Sequence, residues 1–571
     1  MTAPRGATAH TGAGWFGLPA DGALRVAGLM IIAIPVLLVA APLATLVATA
    51  ASMPLPDLAR SLGRLGLPAL AAQVALLGVL ATAWAFAAGV PLAWLAARTD
   101  LPGRSFVRVV APLTLAIPPY VLALAYMVVL APGGALHGAV AAAFATTTAH
   151  VAWPRAIYGT GGAAFILGLA GAPSVFLLVH GALARANPAL EDAARGLGAT
   201  PFATFRRVTL PLLRGPLLAG ALLTFVYACV DFGVVSLLRA RTFTTALFTY
   251  LVSGYAPAAS ATIALLLVTL LWTILGAQAA AVRITAGRGA RTGPAPDRAG
   301  VLADMRGHHG AAPLRLGAWR WPACAYAAFV LTLATGLPVA VLATLAARLG
   351  LGGLVAFWAA QGAHLWNTLS VAGATATIVT TLALALAALR GRTRGPALAI
   401  AAAQAGYAVP GTVLGLAVVS LVPRTLSLLD GTSGTIVLAM VILFLAPACQ
   451  AMMAALDGVP AALVHAARGL GATPVAAFRR VTLPLATPAI VAGWALAFGL
   501  AARELAATLL LRPPGYDTLA VRIWVHTTDV GPDPRAAAVA LLLLIVLGAI
   551  WAFTLWITSR RAGGFAPRPV A

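Results

Sequence analysis

The sequence predicts an all-α, polytopic membrane protein of about twelve transmembrane helices in two homologous six-helix halves. Three observations lead there. The 571 residues are 61% hydrophobic and only 9% charged, with a mean hydropathy of +0.96, a composition suited to lipid rather than water. Twelve apolar runs approach or exceed the roughly 20 residues that a helix needs to cross a bilayer. A 21-residue segment, Ala193 to Leu213, returns at Ala466 to Ala486 with 18 positions identical and an offset of 273 residues. A repeat spaced at nearly half the chain marks two related halves; a solenoid repeats at a far shorter period.

The elements follow in order. The start is polar and rich in Gly and Ala as far as Arg25, and the run Val26 to Ala51 is too long for a signal-peptide core. Residues 1–66 therefore read as a cytoplasmic N-terminus, a first span (26–50) and an outer loop. The first repeated domain, 67–282, holds spans near 68–97, 108–131, 161–184, 215–238 and 258–282. A linker rich in Arg, Gly and Pro, 283–320, suits a flexible joint. Residues 321–359 hold the seventh span (321–347) and an outer loop. The second repeated domain, 360–558, holds spans near 366–389, 397–421, 434–456, 488–511 and 535–558, and 559–571 is a tail. Internal prolines such as Pro91, Pro118-Pro119 and Pro410 are tolerated in membrane helices and mark candidate kinks.

Charge sets the orientation. The net charge is +23, and all 37 basic residues are arginine. They lie mostly in short loops between spans, which points to the positive-inside rule and anionic lipid rather than nucleic acid. The linker, the loops at Arg98–Arg108 and Arg390–Arg394, and the tail with Arg560, Arg561 and Arg568 fall on one side of a twelve-span arrangement. Both repeated segments fall there too. The opposite loop, Arg512 to Pro534, has two Arg and three Asp. Both termini, the linker and both repeats are thus expected in the cytoplasm; the loop with Arg239 and Arg241 runs weakly against this. His308-His309 in the linker reads as a solvated pair rather than a metal site. Cys229, Cys324 and Cys449 lie in or beside apolar runs and give neither a disulfide framework nor a metal spacing.

The repeated segment predicts two short helices with a bend. Asn187-Pro188 resembles an N-cap with proline in the first turn, and Glu191 and Asp192 suit that positive helix end. Ala193 and Ala194 give a small surface, and Gly198 permits a left-handed stop. Thr200-Pro201 starts a second helix with Phe202 and Phe205 on one side, and Arg206 and Arg207 stand at its C-terminal end. Such a surface fits partner docking; an ordinary loop of a duplicated protein accounts for the pattern as well.

Acidic residues inside membrane spans are costly and often functional. Asp231 lies in the fifth expected span and Arg503-Glu504 in the eleventh, and the 273-residue offset maps Asp231 onto Glu504. Asp231 is 16 residues past Gly215, roughly 24 Å along a helix, toward the outer side. A lining or gate of a translocation path and a structural ion pair with Arg503 both fit. Nothing predicts catalysis: the nine histidines form no HExxH, there is no GxSxG, and without lysine there is no standard P-loop. Any ATP that drives transport is hydrolysed by another chain.

The repeated segment resembles the Glu-Ala-Ala motif of ABC importer permeases, which continues with three residues, Gly, nine residues, Ile, any residue and Leu-Pro. The first copy reads Asp192-Ala193-Ala194, Gly198, Val208, Leu210-Pro211; the second reads His465-Ala466-Ala467, Gly471, Val481, Leu483-Pro484. The departures are Asp192 and His465 at the usual glutamate. Asp231-Phe232-Gly233-Val234-Val235 with Thr242-Phe243-Thr244-Thr245 resembles iron(III) importer permeases, as does Arg503-Glu504-Leu505-Ala506-Ala507-Thr508 with Tyr516-Asp517-Thr518-Leu519. Ile117-Pro118-Pro119-Tyr120-Val121 and Val409-Pro410-Gly411-Thr412-Val413 fit the same family, and the likeness covers about 67–282 and 360–558. The resemblance implies two fused type I (MetI-like) permease domains in a bacterial inner membrane, importing iron(III). It implies a periplasmic or lipid-anchored binding protein outside and two ATPase subunits inside. This chain then binds no cofactor, ATP and Mg being held by the ATPases. Each motif would couple to one ATPase, with Arg206 and Arg207, or Arg479 and Arg480, beside the docking face. Thiamine, phosphonate, polyamine or sulfate remain alternative cargoes, and a twelve-helix secondary transporter remains an alternative machine.

Overall fold

The computed structural model describes residues 22–152, 155–186, 189–252, 257–289, 314–390 and 394–562. The Asn187-Pro188 cap, His308-His309, the linker between 290 and 313, the start and the last tail residues lie outside the described residues. The regular elements of the described residues are helices. Among the described residues eleven helices are long and apolar enough to cross a membrane, or twelve if one bent pair counts as a single span.

The first half runs α1 (Gly22–Ala51), the short amphipathic α2 (Leu55–Leu65), α3 (Leu67–Arg98), α4 (Arg104–Leu113), α5 (Pro119–Leu130), α6 (Ala135–Ala143) and α7 (Thr160–Arg185). Then come α8 (Ala189–Gly196), α9 (Pro201–Thr204), α10 (Leu210–Val230), α11 (Gly233–Leu237), α12 (Phe243–Val252) and α13 (Pro257–Gly289). The second half repeats the order: α14 (Arg320–Leu331), α15 (Leu337–Ala347), α16 (Gly350–Ala360), α17 (Gly362–Leu389), α18 (Arg394–Tyr407), α19 (Gly411–Thr425) and α20 (Ser433–Asp457). It ends with α21 (Ala461–Gly469), α22 (Pro474–Ala477), α23 (Leu483–Ala502), α24 (Ala506–Leu511), α25 (Leu519–Asp529) and α26 (Pro534–Ala562).

Each half is built on a close-packed trio, α3 with α7 and α10, and α17 with α20 and α23. Small residues let these helices approach. A methyl on Gly89 would meet the Ala172 carbonyl oxygen at 2.6 Å, and one on Gly493 would meet Met452 Cε at 2.4 Å. Such contact supplies the dispersion and packing that hold helices together in lipid. The first span of each half crosses over. α1 packs on α18 and α19 of the second half as well as on α13, and α15 packs on α5 of the first half and on α26.

Four expected spans are corrected. The run at 108–131 is not one helix: α4 gives way to a 3-10 turn, the chain is extended at Ile117 and Pro118, and α5 restarts at Pro119. The run at 397–421 breaks likewise at Pro410, and its two helices meet at 107°. In both, proline withholds an N–H and steers its predecessor away from the helical region, which ends a helix that hydropathy alone would continue. The fifth and eleventh spans begin earlier than expected, at Phe202 and Pro474, and stop at Val230 and Ala502. The loop expected at Arg512–Pro534 contains α25.

Candidate functional site

Two places bring the singled-out residues together: the repeated loops and a cavity between the halves.

In the loops, Gly198 and Gly471 take φ of 83° and 87°, the left-handed stop that glycine permits. Thr200 and Thr473 each accept the N–H three residues on, of Ala203 and Ala476, at 3.2 Å, as N-cap side chains do. The second short helix is not separate. α9 runs through a π-helical turn, Phe205–Thr209, straight into α10, and α22 runs through Phe478–Thr482 into α23. The Leu210 and Leu483 N–H groups reach back five residues to Phe205 and Phe478, immediately before Pro211 and Pro484. Proline's missing donor and ring explain the widened turn. The second short helix of each loop is therefore continuous with the fifth or the eleventh span.

Asp192, Ala193, Arg206, Arg207, His465, Ala466, Arg479 and Arg480 are exposed, while Ala194 and Ala467 are half-buried. Leu210 and Leu483 are half-buried too. Leu197 and Leu470, at the bends, are each 90% exposed, with Phe202 and Val475 exposed beside them. Sequence reasoning missed these leucines, although an apolar residue beside a left-handed glycine in a polar segment was the available signal. It also missed the role of Glu191, which is buried and accepts a hydrogen bond from Thr209 Oγ1 at 3.0 Å. Asp192, placed at the usual glutamate by resemblance, instead pairs at the surface with Arg195 at 3.5 Å.

The cavity, about 950 Å³, is lined from both halves. α10, α11 and α13 form one side; α18, α20 and the break between α23 and α24 form the other. Asp231 and Glu504 lie on its wall, not within continuous helices but at matching breaks. Asp231 Oδ1 accepts the Val234 N–H at 2.8 Å, and Glu504 Oε1 accepts the Ala507 N–H at 3.0 Å. Each carboxylate thus satisfies a free donor at the start of the next short helix. The ion pair between Asp231 and Arg503 is not formed among the described residues. Arg503 instead donates to the Leu115 carbonyl of the other half at 2.6 Å, and Tyr120 Oη donates to the Arg503 carbonyl at 3.3 Å. Trp272 Nε1 donates across the halves to Ala405 at 3.4 Å. Tyr227, Tyr407, Gln404 and Gln450 add polar groups to the wall. Polar residues inside apolar runs were the signal for the two glutamines. Among the described residues no group of three or more His, Cys, Asp and Glu is placed to hold a metal ion.

The family described as binding-protein-dependent transport system inner membrane component matches residues 89–280 and 325–559, well over half the chain. The Fe(3+)-transport system permease protein FbpB 2 of Haemophilus influenzae is 26% identical over 488 residues, 82% of this chain and 85% of that protein. A probable molybdenum ABC transporter permease protein of Haloferax volcanii is 33% identical over 28% of this chain and 54% of its own. The spermidine/putrescine permease protein PotC of Escherichia coli is 34% identical over 16% and 34%. Duplicated, α-helical and spanning the membrane many times, this chain belongs to the binding-protein-dependent transport inner membrane components and is a fused ABC permease.

Proposed function

We propose that the chain imports iron(III) across the bacterial inner membrane, its two repeated loops docking two ATPase subunits and its central cavity forming the path. The matched loops carry the coupling part of this reading. Each presents an exposed leucine at a left-handed glycine, with two arginines behind it, and each is continuous with a span that ends at a cavity carboxylate. Movement of a loop is therefore delivered along α10 or α23 to the cavity wall. ATP and Mg belong to the ATPases, and a periplasmic or lipid-anchored protein delivers cargo from outside. The motif arginines favour cytoplasmic loops and termini.

Iron is favoured by the relative named for Fe(3+) transport, whose likeness runs through both halves. The oxygen-rich wall, with Asp231, Glu504 and three tyrosines, suits a hard cation. A polyamine is the second reading, favoured by the shorter likeness to the spermidine/putrescine permease. Uptake of radiolabelled iron(III), with putrescine, thiamine and molybdate as competitors, in a strain deleted for the gene tests the cargo. Unchanged iron uptake in the deletion removes the iron reading. Co-purification of an ATPase with the tagged chain tests the coupling.

A further inference from the structure

We infer that Glu191 is a positioning residue that makes the two docking loops mechanically unequal. Through Arg98 it fastens the first loop to the end of α3, whereas the second loop is held by apolar contact.

Glu191 stands just outside the 21 near-identical residues, and its counterpart at the 273-residue offset is Val464. Both are buried at the root of their loops. Glu191 Oε1 accepts from Thr209 Oγ1 at 3.0 Å and faces Arg98 Nη2 at 3.5 Å; Oε2 faces Arg195 Nη2 at 3.7 Å. Both side chains of the Arg98–Glu191 pair are largely buried, so solvent screens this contact little. Arg98 is the last residue of α3, and the chain entering the second half is bonded beside it. The Leu314 N–H donates to the Arg98 carbonyl at 2.8 Å, the Asp100 N–H donates to the Leu314 carbonyl at 3.1 Å, and Asp100 Oδ1 accepts the Leu316 N–H at 2.9 Å. One connected network therefore joins the first loop, the end of α3 and the return of the chain at Leu314.

Among the described residues the second half shows no such network. Val464 offers no acceptor, and Thr482, the counterpart of Thr209, is buried with its hydroxyl unpartnered. Arg195 pairs with Glu191 and Asp192, whereas the positions matching these carboxylates beside its counterpart Arg468 hold Val464 and His465. Arg390, at the end of α17 as Arg98 is at the end of α3, pairs instead with Asp457 in the last turn of α20, ahead of the loop. The orphan at Thr482 argues against Glu191 serving only to satisfy the equivalent hydroxyl, since the fold tolerates that hydroxyl alone. Directional charged contacts fix a loop in one pose, whereas apolar contact is non-directional and permits sliding. The first loop then moves as one body with α3, and the second moves more freely.

The inference rests on the reading of the loops as ATPase docking sites, and its test separates the two. Amide exchange is measured on the full chain in lipid nanodiscs, over 189–200 and 462–473. The wild type should exchange more slowly in the first loop. Glu191→Val should raise exchange there about tenfold, the weight of hydrogen bonds to a charged group, and leave the second loop unchanged. Glu191→Gln keeps an acceptor for Thr209 but loses the charge facing Arg98, and should accelerate exchange nearly as much. Glu191→Val with Thr209→Val removes the orphaned hydroxyl and should not restore slow exchange. Restoration by the double variant, normal exchange in Glu191→Gln, or equal exchange of the two wild-type loops each overturns the proposal. Failure of the wild type to co-purify an ATPase overturns the docking reading instead, and leaves the exchange contrast to be judged alone.

Discussion

Replacing Gly411 by alanine should uncap α24 and open the cavity wall at Glu504. Gly411 starts α19 after Pro410, and a methyl there would stand 2.6 Å from Glu504 Oε1 and 3.2 Å from Ala506 Cβ. The nearer contact is the far end of a flexible side chain, so the carboxylate yields rather than the backbone. That same oxygen accepts the Ala507 N–H at 3.0 Å. Its displacement removes the cap from a helix of only six residues. A lost cap costs about 1 kcal/mol, equivalent to about fivefold in local opening. The gain in helix propensity from glycine to alanine, about 0.5–1 kcal/mol, has the opposite sign but acts on α19. Exchange read separately over 506–511 and 411–425 therefore distinguishes the two effects. Residues 233–237, still capped by Asp231, serve as the internal control. Exchange over 506–511 should rise about fivefold, matching Glu504→Ala, and the two changes combined should give no more than either alone. Unchanged exchange over 506–511, or full additivity, would refute the argument that Gly411 matters by leaving room for the capping carboxylate.

Further outcomes follow from the same geometry. Asp231→Asn and Glu504→Gln keep an acceptor for the short helices but remove cavity charge; uptake should slow while an ATPase still co-purifies, and normal uptake in both would take these carboxylates out of the path. A side chain at Gly198 or Gly471 meets nothing within 4 Å, so Gly198→Asp or Gly471→Asp costs backbone strain of about 1–3 kcal/mol, enough to disturb a docking face without unfolding packed spans; membrane insertion should persist and ATPase binding fall, measured at equal expression. His526 lies on α25, where burial and then the Arg522 charge hold its pKa below the ordinary 6.5, and its neutral ring accepts from Arg522 at 3.1 Å. Its contribution to stability is therefore complete above pH 6.5 and lost as pH falls through the window below; thermal aggregation should show this acid dependence in wild type and less of it in His526→Gln. A cysteine at Gly310 should react with an impermeant reagent only in opened cells; labelling of intact cells would reverse the orientation.

Much of this was legible because lipid imposes simple rules. Length and apolarity located the long helices, and the repeat located the halves and the left-handed glycines at 198 and 471. Hydropathy could not locate the breaks. The runs around Pro118, Pro410, Asp231 and Glu504 stay apolar on both sides, so one polar or proline residue is outvoted in a twenty-residue window although it ends the helix. The crossing of α1 onto α18 and α19 had no local signal, since an apolar helix faces a neighbouring half and lipid with the same residues. For the same reason the cavity was visible only as single polar residues, Gln404 and Gln450 among them, in otherwise apolar segments.

The duplication itself carries a further lesson about reading near-identity. The two loop segments differ at only three of 21 positions, Phe202, Thr204 and Leu213 against Val475, Ala477 and Ala486, all of them after the bend. Compared over that window, the loops are nearly alike. Two residues upstream, one carries a buried carboxylate and the other a buried valine, and the exchange reaches well beyond its own position. It leaves the Thr482 hydroxyl without a partner and puts Val464 where Arg195 has Glu191, and the arginine at the end of α17 is engaged elsewhere. A surface presented to two like partners is conservative in what it shows them. Under the docking proposed above, the supports behind it are free to diverge, because a partner would meet the exposed leucine and arginines and not what anchors them. Under that proposal, asymmetry in this fused permease is to be sought at the roots of the matched loops, where the buried Glu191 stands against the buried Val464.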